Sequence, residues 1–453
     1  MKKDNTFLFR EMPVPKAVLS LIIPTVISQL ITVAYNMADT FYIGQLNDPT
    51  QVAAVTVVMP AFILLTAISN LFGIGGASLI SRSLGSNDRD RAKQTATFCI
   101  LAGIVTAFAY GMLLMLFRPY ILPLLGAKET TYRYSSQYMF WTITVGAVPT
   151  VMNSELAHLV RAEGYSKHAG IGIAFGGILN MLLDPLFIFV FDMKIKGAAI
   201  ATMLSNIAAV AYFVLLLLKN RRTTVIFPDI RLLRSGLRSF PEVVAVGFPS
   251  FVMFLMSTIS NGALNHMISA YSDQAIAGMG IAKKIDMVAI ALAQGMTQGA
   301  LPLIGYNYTS NDRRRMNSAV KTTLVYALGT ALVGAVLLIL CSGQVTRLFI
   351  DDDITVGYGR SFLRTIAIAC PSTTLNCMII TVFQATGRKI RPLILSLLRK
   401  GVIDIPLMIL LNTAVGVSGI AWATPIADFT ALAISACLFI PYMREMDRKS
   451  RVV

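Results

Sequence analysis

Apolar positions in this chain run almost unbroken for about 20 residues at a time, the length a helix needs to cross the hydrocarbon core of a bilayer. Twelve such runs are predicted. In the first half they fall near residues 17–43, 52–80, 94–117, 135–159, 169–191 and 197–218, and in the second near 243–270, 276–306, 318–345, 361–384, 392–414 and 418–441. The expected fold is an all-α polytopic membrane protein. Its segments are 1–16 (amino-terminal), 17–218 (first lobe, spans 1–6), 219–242 (linker), 243–441 (second lobe, spans 7–12) and 442–453 (carboxy-terminal tail).

The polar stretches between runs set the orientation. Lys and Arg gather in alternate connections, at 82–93, 219–238, 313–321 and 388–400, and at both termini, whereas one of the intervening connections carries Asp351, Asp352 and Asp353. Positive residues stay on the cytoplasmic side, so both termini are predicted to be cytoplasmic in a multi-pass protein of the cytoplasmic (inner) membrane. The linker stretch "DIRLLRSGLRSF" puts Leu and Phe on one helical face and Arg on the other, as in a helix lying on a membrane surface.

The two halves repeat. Pro24 and Asn36 align with Pro249 and Asn261, "SNDRDR" (86–91) with "SNDRRR" (310–315), "RAEG" (161–164) with "QATG" (384–387), and "GAAIAT" (197–202) with "GIAWAT" (419–424). The offset drifts slowly from 225 (261 − 36) to 222 (419 − 197). Six spans per repeat insert each half the same way up. The twelve helices therefore form two six-helix bundles related by a pseudo-twofold along the membrane normal, the layout of transporters that bind between halves.

Composition agrees: 55% of the 453 residues are hydrophobic and 14% charged, against about 25% charged in soluble domains. The net charge of +16 lies in loops and makes no basic stripe with interleaved aromatics, which argues against nucleic acid. The five cysteines fall inside apolar runs without disulfide or zinc spacing. The polar start "MKKDNTFLFREMPVPK" is too long for a cleaved leader, so the first run reads as a retained span. No phosphate loop, metal spacing or nucleophile elbow points to an enzyme, and an ion gradient remains as the energy source for uphill transport.

Ionisable and strongly polar residues within spans are costly, so each is a functional candidate. Asp39 lies about 7–8 Å from the outer end of span one, Asp184 about 12 Å from that of span five, and Thr202 about 9 Å into span six, at 1.5 Å per residue. Asn180 sits one turn deeper than Asp184 on the same face, and Pro185 frees a carbonyl nearby. These residues share a depth and offer hard oxygen donors suited to Na⁺, while two close carboxylates could instead carry a proton. Hydrogen bonding that merely holds the bundle together is the other reading. Asn36, one turn from Asp39, is a supporting polar residue. Asp39 aligns with Leu264, so the second lobe lacks this acid and instead carries Lys283, Asp286, Arg399, Lys400, Asp404 and Asp428. Lys283 and Asp286 share a helical face and can pair. Lys283, Asp286 and Asp404 are candidates for an ion network near the pathway, and equally for structural pairing. Glu155, His158, Arg161 and Glu163 read as a cluster at a cytoplasmic helix end. Small-residue runs at 70–78 and 170–178 predict close helix contacts.

The pattern "IPTVISQLITVAYNMADTFYIGQL", with "RAEG", "NMLLDPLFIF" and "GAAIAT", resembles the multidrug and toxic compound extrusion (MATE) transporters, near their DNA-damage-inducible-type branch, over the full chain. The resemblance implies an inner-membrane antiporter that exports organic, often cationic, drugs by alternating access, and a monomer is expected. The coupling ion is Na⁺ or H⁺, with no other cofactor. It also implies a first-lobe cation site at Asp39, Asn180, Asp184 and Thr202. Another branch adds a span-seven glutamate and a span-ten aspartate; Asn261 and an acid-free span ten depart from it. The alternative is a flippase for lipid-linked oligosaccharides, of the same broad superfamily, whose cavity should hold several cations for pyrophosphate. A twelve-span major facilitator fits the Asn36/Asp39 and "NMLLDP" patterns poorly, and flux measurements would separate a non-transporting receptor or scaffold.

Overall fold

The computed structural model describes residues 7–46 and 48–451, and among these every regular element is helical. Twelve rods run antiparallel in sequence order. In the first half they are α1 (Val14–Gly44), α2 (Pro49–Gly85), α3 (Arg89–Leu116), α4 (Glu129–Met139, a π-helical turn Phe140–Val145, then Ala147–Ala162), α5 (Ser166–Pro185, continuing through a π-helical turn Leu186–Val190) and α6 (Lys194–Lys219). In the second they are α7 (Phe240–Ile268), α8 (Asp273–Thr309), α9 (Arg313–Arg347), α10 (Asp353–Ala385), α11 (Ile390–Leu397, a π-helical turn Leu398–Val402, then Asp404–Val415) and α12 (Val417–Arg451). Nine helices among the described residues meet the length and hydropathy of a span on their own. The other three rods are α4 and α11, each interrupted by a π-helical turn, and α8, whose first half carries Lys283, Lys284 and Asp286.

The repeated motifs are helix ends, which explains their composition. In "SNDRDR" and "SNDRRR", Asn87 (φ 61°) and Asn311 (φ 64°) take the left-handed conformation that ends a helix. Asp88 and Asp312 then cap the next helix by accepting from the backbone N–H of Arg91 and Arg315, both at 2.9 Å. In "RAEG" and "QATG" the left-handed residue is Gly164 (φ 91°) or Gly387 (φ 72°), where a Cβ would be strained. The Arg388 N–H closes the second of these turns onto the Phe383 carbonyl at 2.8 Å.

The two six-helix bundles meet along one end, the end that carries the basic connections. A Cβ on Gly247 of α7 would lie 1.8 Å from the Leu71 carbonyl oxygen of α2, and one on Gly75 would lie 2.2 Å from that of Val243. Gly295 and Gly299 of α8 rest on Val26 and Ile22 of α1 in the same way. Side chains close the seam: the Thr309 hydroxyl donates to the Arg82 carbonyl at 2.6 Å, and Glu242 lies between Arg82 (3.7 Å) and Arg91. At the opposite end, Gly44, Gly262 and Gly280 face open space.

Both terminal segments carry structure of their own. Residues 7–11 of the amino-terminal segment form a π-helical turn. Phe9 is buried and stacked 4.8 Å from Tyr306 of the second bundle, and Arg315 donates to the Leu8, Phe9 and Met12 carbonyls. At the other terminus α12 continues past 441 to Arg451, because Tyr442 and Met446 are buried and Arg388 and Arg391 stack on the Tyr442 ring.

Candidate functional site

The glycines of "GIGIAFGGI" aim the polar residues of α5. Gly170 and Gly177 face α1: their Cβ positions fall 2.8 Å from the Pro24 carbonyl oxygen and 2.9 Å from Ile31 Cγ2. Gly172 and Gly176 face α6, against Phe213 and Ala209. Helical periodicity carries these faces onward. Asn180, one turn after Gly176, points to α6, and Asp184, two turns after Gly177, points back toward α1.

The hydrogen bonds follow that placement. Asn180 Nδ2 donates to Asp184 Oδ1 at 3.1 Å and reaches Thr202 Oγ1 on α6 at 3.5 Å. Asn180, Asp184 and Thr202 are all buried. Asp39 of α1 is half-buried, and the two carboxylates feel one another's charge. Tyr138 of α4 lies in the field of both. Asn36, one turn from Asp39, is half-buried.

Three oxygens here are buried without a hydrogen-bond partner: Asp39 Oδ1, Asn180 Oδ1 and Asp184 Oδ2. Among the described residues no ion pair within 4.0 Å involves either carboxylate. A buried acceptor left unpaired costs roughly 1–3 kcal/mol, more when charged. Such acceptors can be satisfied chemically by a cation or by protons. The donor set, two carboxylates with an amide and a hydroxyl oxygen, fits Na⁺. Pro185 has no N–H to give to the Met181 carbonyl, and the rod passes into its π-helical turn directly afterwards.

The sequence reading missed a polar continuation below this group. Asn153 Nδ2 of α4 donates to Asn206 Oδ1 of α6 at 2.9 Å, and Asn206 Nδ2 donates to the Thr202 carbonyl at 2.9 Å. The available signal was the i, i+4 spacing of Thr202 and Asn206; nothing along the chain ties either to Asn153.

The second bundle is built differently. Arg399 and Lys400, counted above with a basic connection, lie in the π-helical turn of α11, and Arg399 is buried. Burial is possible because Asp428 of α12 receives the guanidinium as a fork, at 2.6 and 3.3 Å, and also accepts from Thr373. Lys400 lies 3.7 Å from Asp404, which accepts from Ser260 at 2.7 Å. Lys283 and Asp286 feel these charges but form no ion pair with each other within 4.0 Å. Three cations and three carboxylates gather in this cluster, whereas Asp39 and Asp184 of the first bundle have no ion-pair partner within 4.0 Å among the described residues.

The residues read as one helix-end cluster divide in two. Glu163 holds the linker, accepting from the Thr224 hydroxyl and from the Val225 N–H at 2.9 Å. Glu155 instead lies wholly inside the bundle, its Oε2 2.0 Å from where a Cβ on Gly103 would sit. The helix periodicity turns Glu155 toward α3 while Glu163 lies past the end of α4.

Twelve rods in two like bundles, with acids that lack an ion-pair partner inside one of them, define a multi-pass membrane transporter fold. The MatE family model matches residues 24–186 and 249–410, one copy in each bundle, and the chain belongs to the MATE family. Multidrug export protein MepA of Staphylococcus aureus (strain MRSA252) is 28% identical over 446 residues, covering 98% of this chain and 97% of that protein. The MepA protein of Staphylococcus saprophyticus is 28% identical over 445 residues, with the same coverage. Among solved structures, the outward-facing conformation of a multidrug resistance MATE family transporter of the MOP superfamily superposes with a TM-score of 0.91 at 24% identity, over 99% of this chain and 100% of that one. A MOP superfamily transporter from Pyrococcus furiosus superposes with a TM-score of 0.88 at 24% identity, over 99% of each chain. These likenesses carry the twelve-helix, two-bundle fold.

Proposed function

We propose that this protein exports organic, often cationic, drugs in exchange for a cation, Na⁺ or H⁺, held at Asp39, Asn180, Asp184 and Thr202. The observation that carries the reading is the set of three unpartnered buried oxygens on two carboxylates and an amide. MepA, named as a multidrug export protein, supports the drug cargo.

The alternating-access cycle follows from the seam. With the basic end cytoplasmic, as the positive-inside rule directs, the bundles are closed inward and apart outward. In this state the cation enters from outside and neutralises the acids between α1, α5 and α6. Drug leaves outward, the bundles rock, and the cation leaves inward. Net exchange requires drug and cation to favour different states, since a ligand of equal affinity for both shifts nothing. The chain acts as a monomer in the cytoplasmic membrane, with both termini inside. The flippase alternative is disfavoured because Arg399 and Lys400, two of the cations inside the second bundle, are held by Asp428 and Asp404 and are not free for pyrophosphate.

The test is efflux of a cationic dye from reconstituted vesicles under an imposed Na⁺ gradient, then an imposed proton gradient. Wild type should respond to at least one gradient. Asp39→Asn should lose the response while eluting as a folded monomer, and undiminished efflux by that variant would refute the coupling role.

A further inference from the structure

We propose that Asn153 and Asn206 form a second, carboxylate-free station for an alkali-metal cation, one helical turn deeper in the first bundle than Asn180 and Thr202, through which the ion passes toward the basic end. The inference rests on the cation reading of the Asp39/Asp184 site and extends it inward.

Depth comes from α5. The Cβ position of Gly176 lies 3.6 Å from Asn153 Nδ2 and 3.0 Å from Ala209 Cβ, so the amide pair flanks the helix at that level. Gly176 precedes Asn180 by one turn and Asp184 by two, about 6 and 12 Å along the axis. The levels are physically joined. Asp184 bonds Asn180, Asn180 reaches Thr202, Asn206 bonds the Thr202 carbonyl, and Asn153 bonds Asn206.

The chain of bonds runs through the amide nitrogens as donors and leaves two of the oxygens over. Asn153 Oδ1 is buried with no partner, and Thr150 Oγ1, one turn outward on the same face of α4, is in the same condition. The tie from α4 to α6 uses only the nitrogen of Asn153, so its buried carbonyl oxygen keeps its acceptor capacity for another ligand. Together with the three oxygens above, the bundle interior presents a column of unsatisfied acceptors on α1, α4 and α5.

The chemistry of the lower station selects its ligand. Amide and hydroxyl oxygens are hard donors that coordinate Na⁺, but they do not take up a proton near neutral pH. The upper site accepts either ion; the lower one accepts only a metal cation or water. Being uncharged, it holds the ion weakly, and multi-site passage needs such a station, where leaving is as easy as entering.

The experiment uses the full-length protein in vesicles with ²²Na⁺ as the probe, measuring equilibrium binding and exchange separately. In Asn153→Leu, binding at the carboxylates should stay within about threefold of wild type while exchange slows about tenfold or more. In Asn153→Asp, the added charge should tighten Na⁺ binding by about fivefold or more and also slow exchange. A merely structural bridge would not tighten binding. Exchange at the wild-type rate in Asn153→Leu, or unchanged affinity in Asn153→Asp, overturns the station; the near-isosteric second variant keeps the test open if the first does not fold. Asp39→Asn separates the two levels. If it abolishes Na⁺ binding while both Asn153 variants behave as wild type, only the station falls. If it leaves binding intact, the upper reading falls and the station with it. Absence of Na⁺ binding in wild type also overturns the station, because a proton cannot use it.

Discussion

Replacing Asp428 by Asn keeps the size of the side chain and removes the charge that holds Arg399. The guanidinium is buried, with side-chain exposures of 7% for Arg399 and 2% for Asp428, and it makes two charge-assisted bonds to that carboxylate. Its remaining contact is with Cys377 sulfur at 3.8 Å, a weak acceptor. Removing one partner of such a pair costs about 3–5 kcal/mol, because the survivor stays buried and uncompensated. A unit the size of one bundle loses about 2–4 °C of Tm per kcal/mol, so Asp428→Asn should melt about 6–20 °C lower. The double variant Arg399→Met/Asp428→Leu removes both charges and should recover most of the loss, since an apolar replacement of a buried pair is often neutral. The assay is thermal unfolding of purified protein followed by size-exclusion elution, with the two single variants and the double variant compared as a cycle. A loss under about 1 kcal/mol in Asp428→Asn, or a double variant as unstable as the sum of the singles, would refute the idea that charge pairing organises the second bundle.

Two further expectations test other levels of the structure. Gly247→Ala should open the seam at the basic end, since its Cβ would have to displace the Leu71 backbone. Cysteines placed at Ser78 and Gln384, which touch across that seam, should then cross-link more slowly in a background lacking the native cysteines. Asp352 caps α10 through the Thr355 N–H and hydroxyl, and the Thr355 hydroxyl bond is the leading cause that holds its carboxyl below the ordinary range. A folded-state value below the unfolded one, about 3.9, stabilises above that pH and ceases to as pH falls through the folded value. Asp352→Ala should therefore raise hydrogen exchange in the first turn of α10 at neutral pH, with the difference vanishing in strong acid.

Much of the architecture was legible because lipid imposes it. A spanning helix must be long and apolar, so the twelve rods could be counted even where α4 and α11 break at π-helical turns. The repeat could be read from helix ends because backbone demands limit the residues there: Asn87 and Asn311 at positive φ, then Asp88 and Asp312 as caps. Arg399 reads both as part of a basic connection, one of five basic residues between 388 and 400, and as a polar residue of the second lobe; only Asp428, opposite it on another helix, decides for the buried pair. Glu155 was misplaced for a similar reason: distance from a helix end says nothing about which neighbour a side chain faces.

At the candidate site the division is equally physical. Rise per residue and the 3.6-residue period determined from sequence alone how deep Asp39, Asn180, Asp184 and Thr202 sit and that Asn180 and Asp184 share a face. Rotation of each helix about its own axis is decided only when helices pack. Gly170 and Gly177 against α1, and Gly172 and Gly176 against α6, set that angle for α5. The tertiary structure alone brought Asn153 to Asn206 and left the acceptor oxygens unpaired, because these contacts join residues far apart in the chain whose meeting no local periodicity encodes.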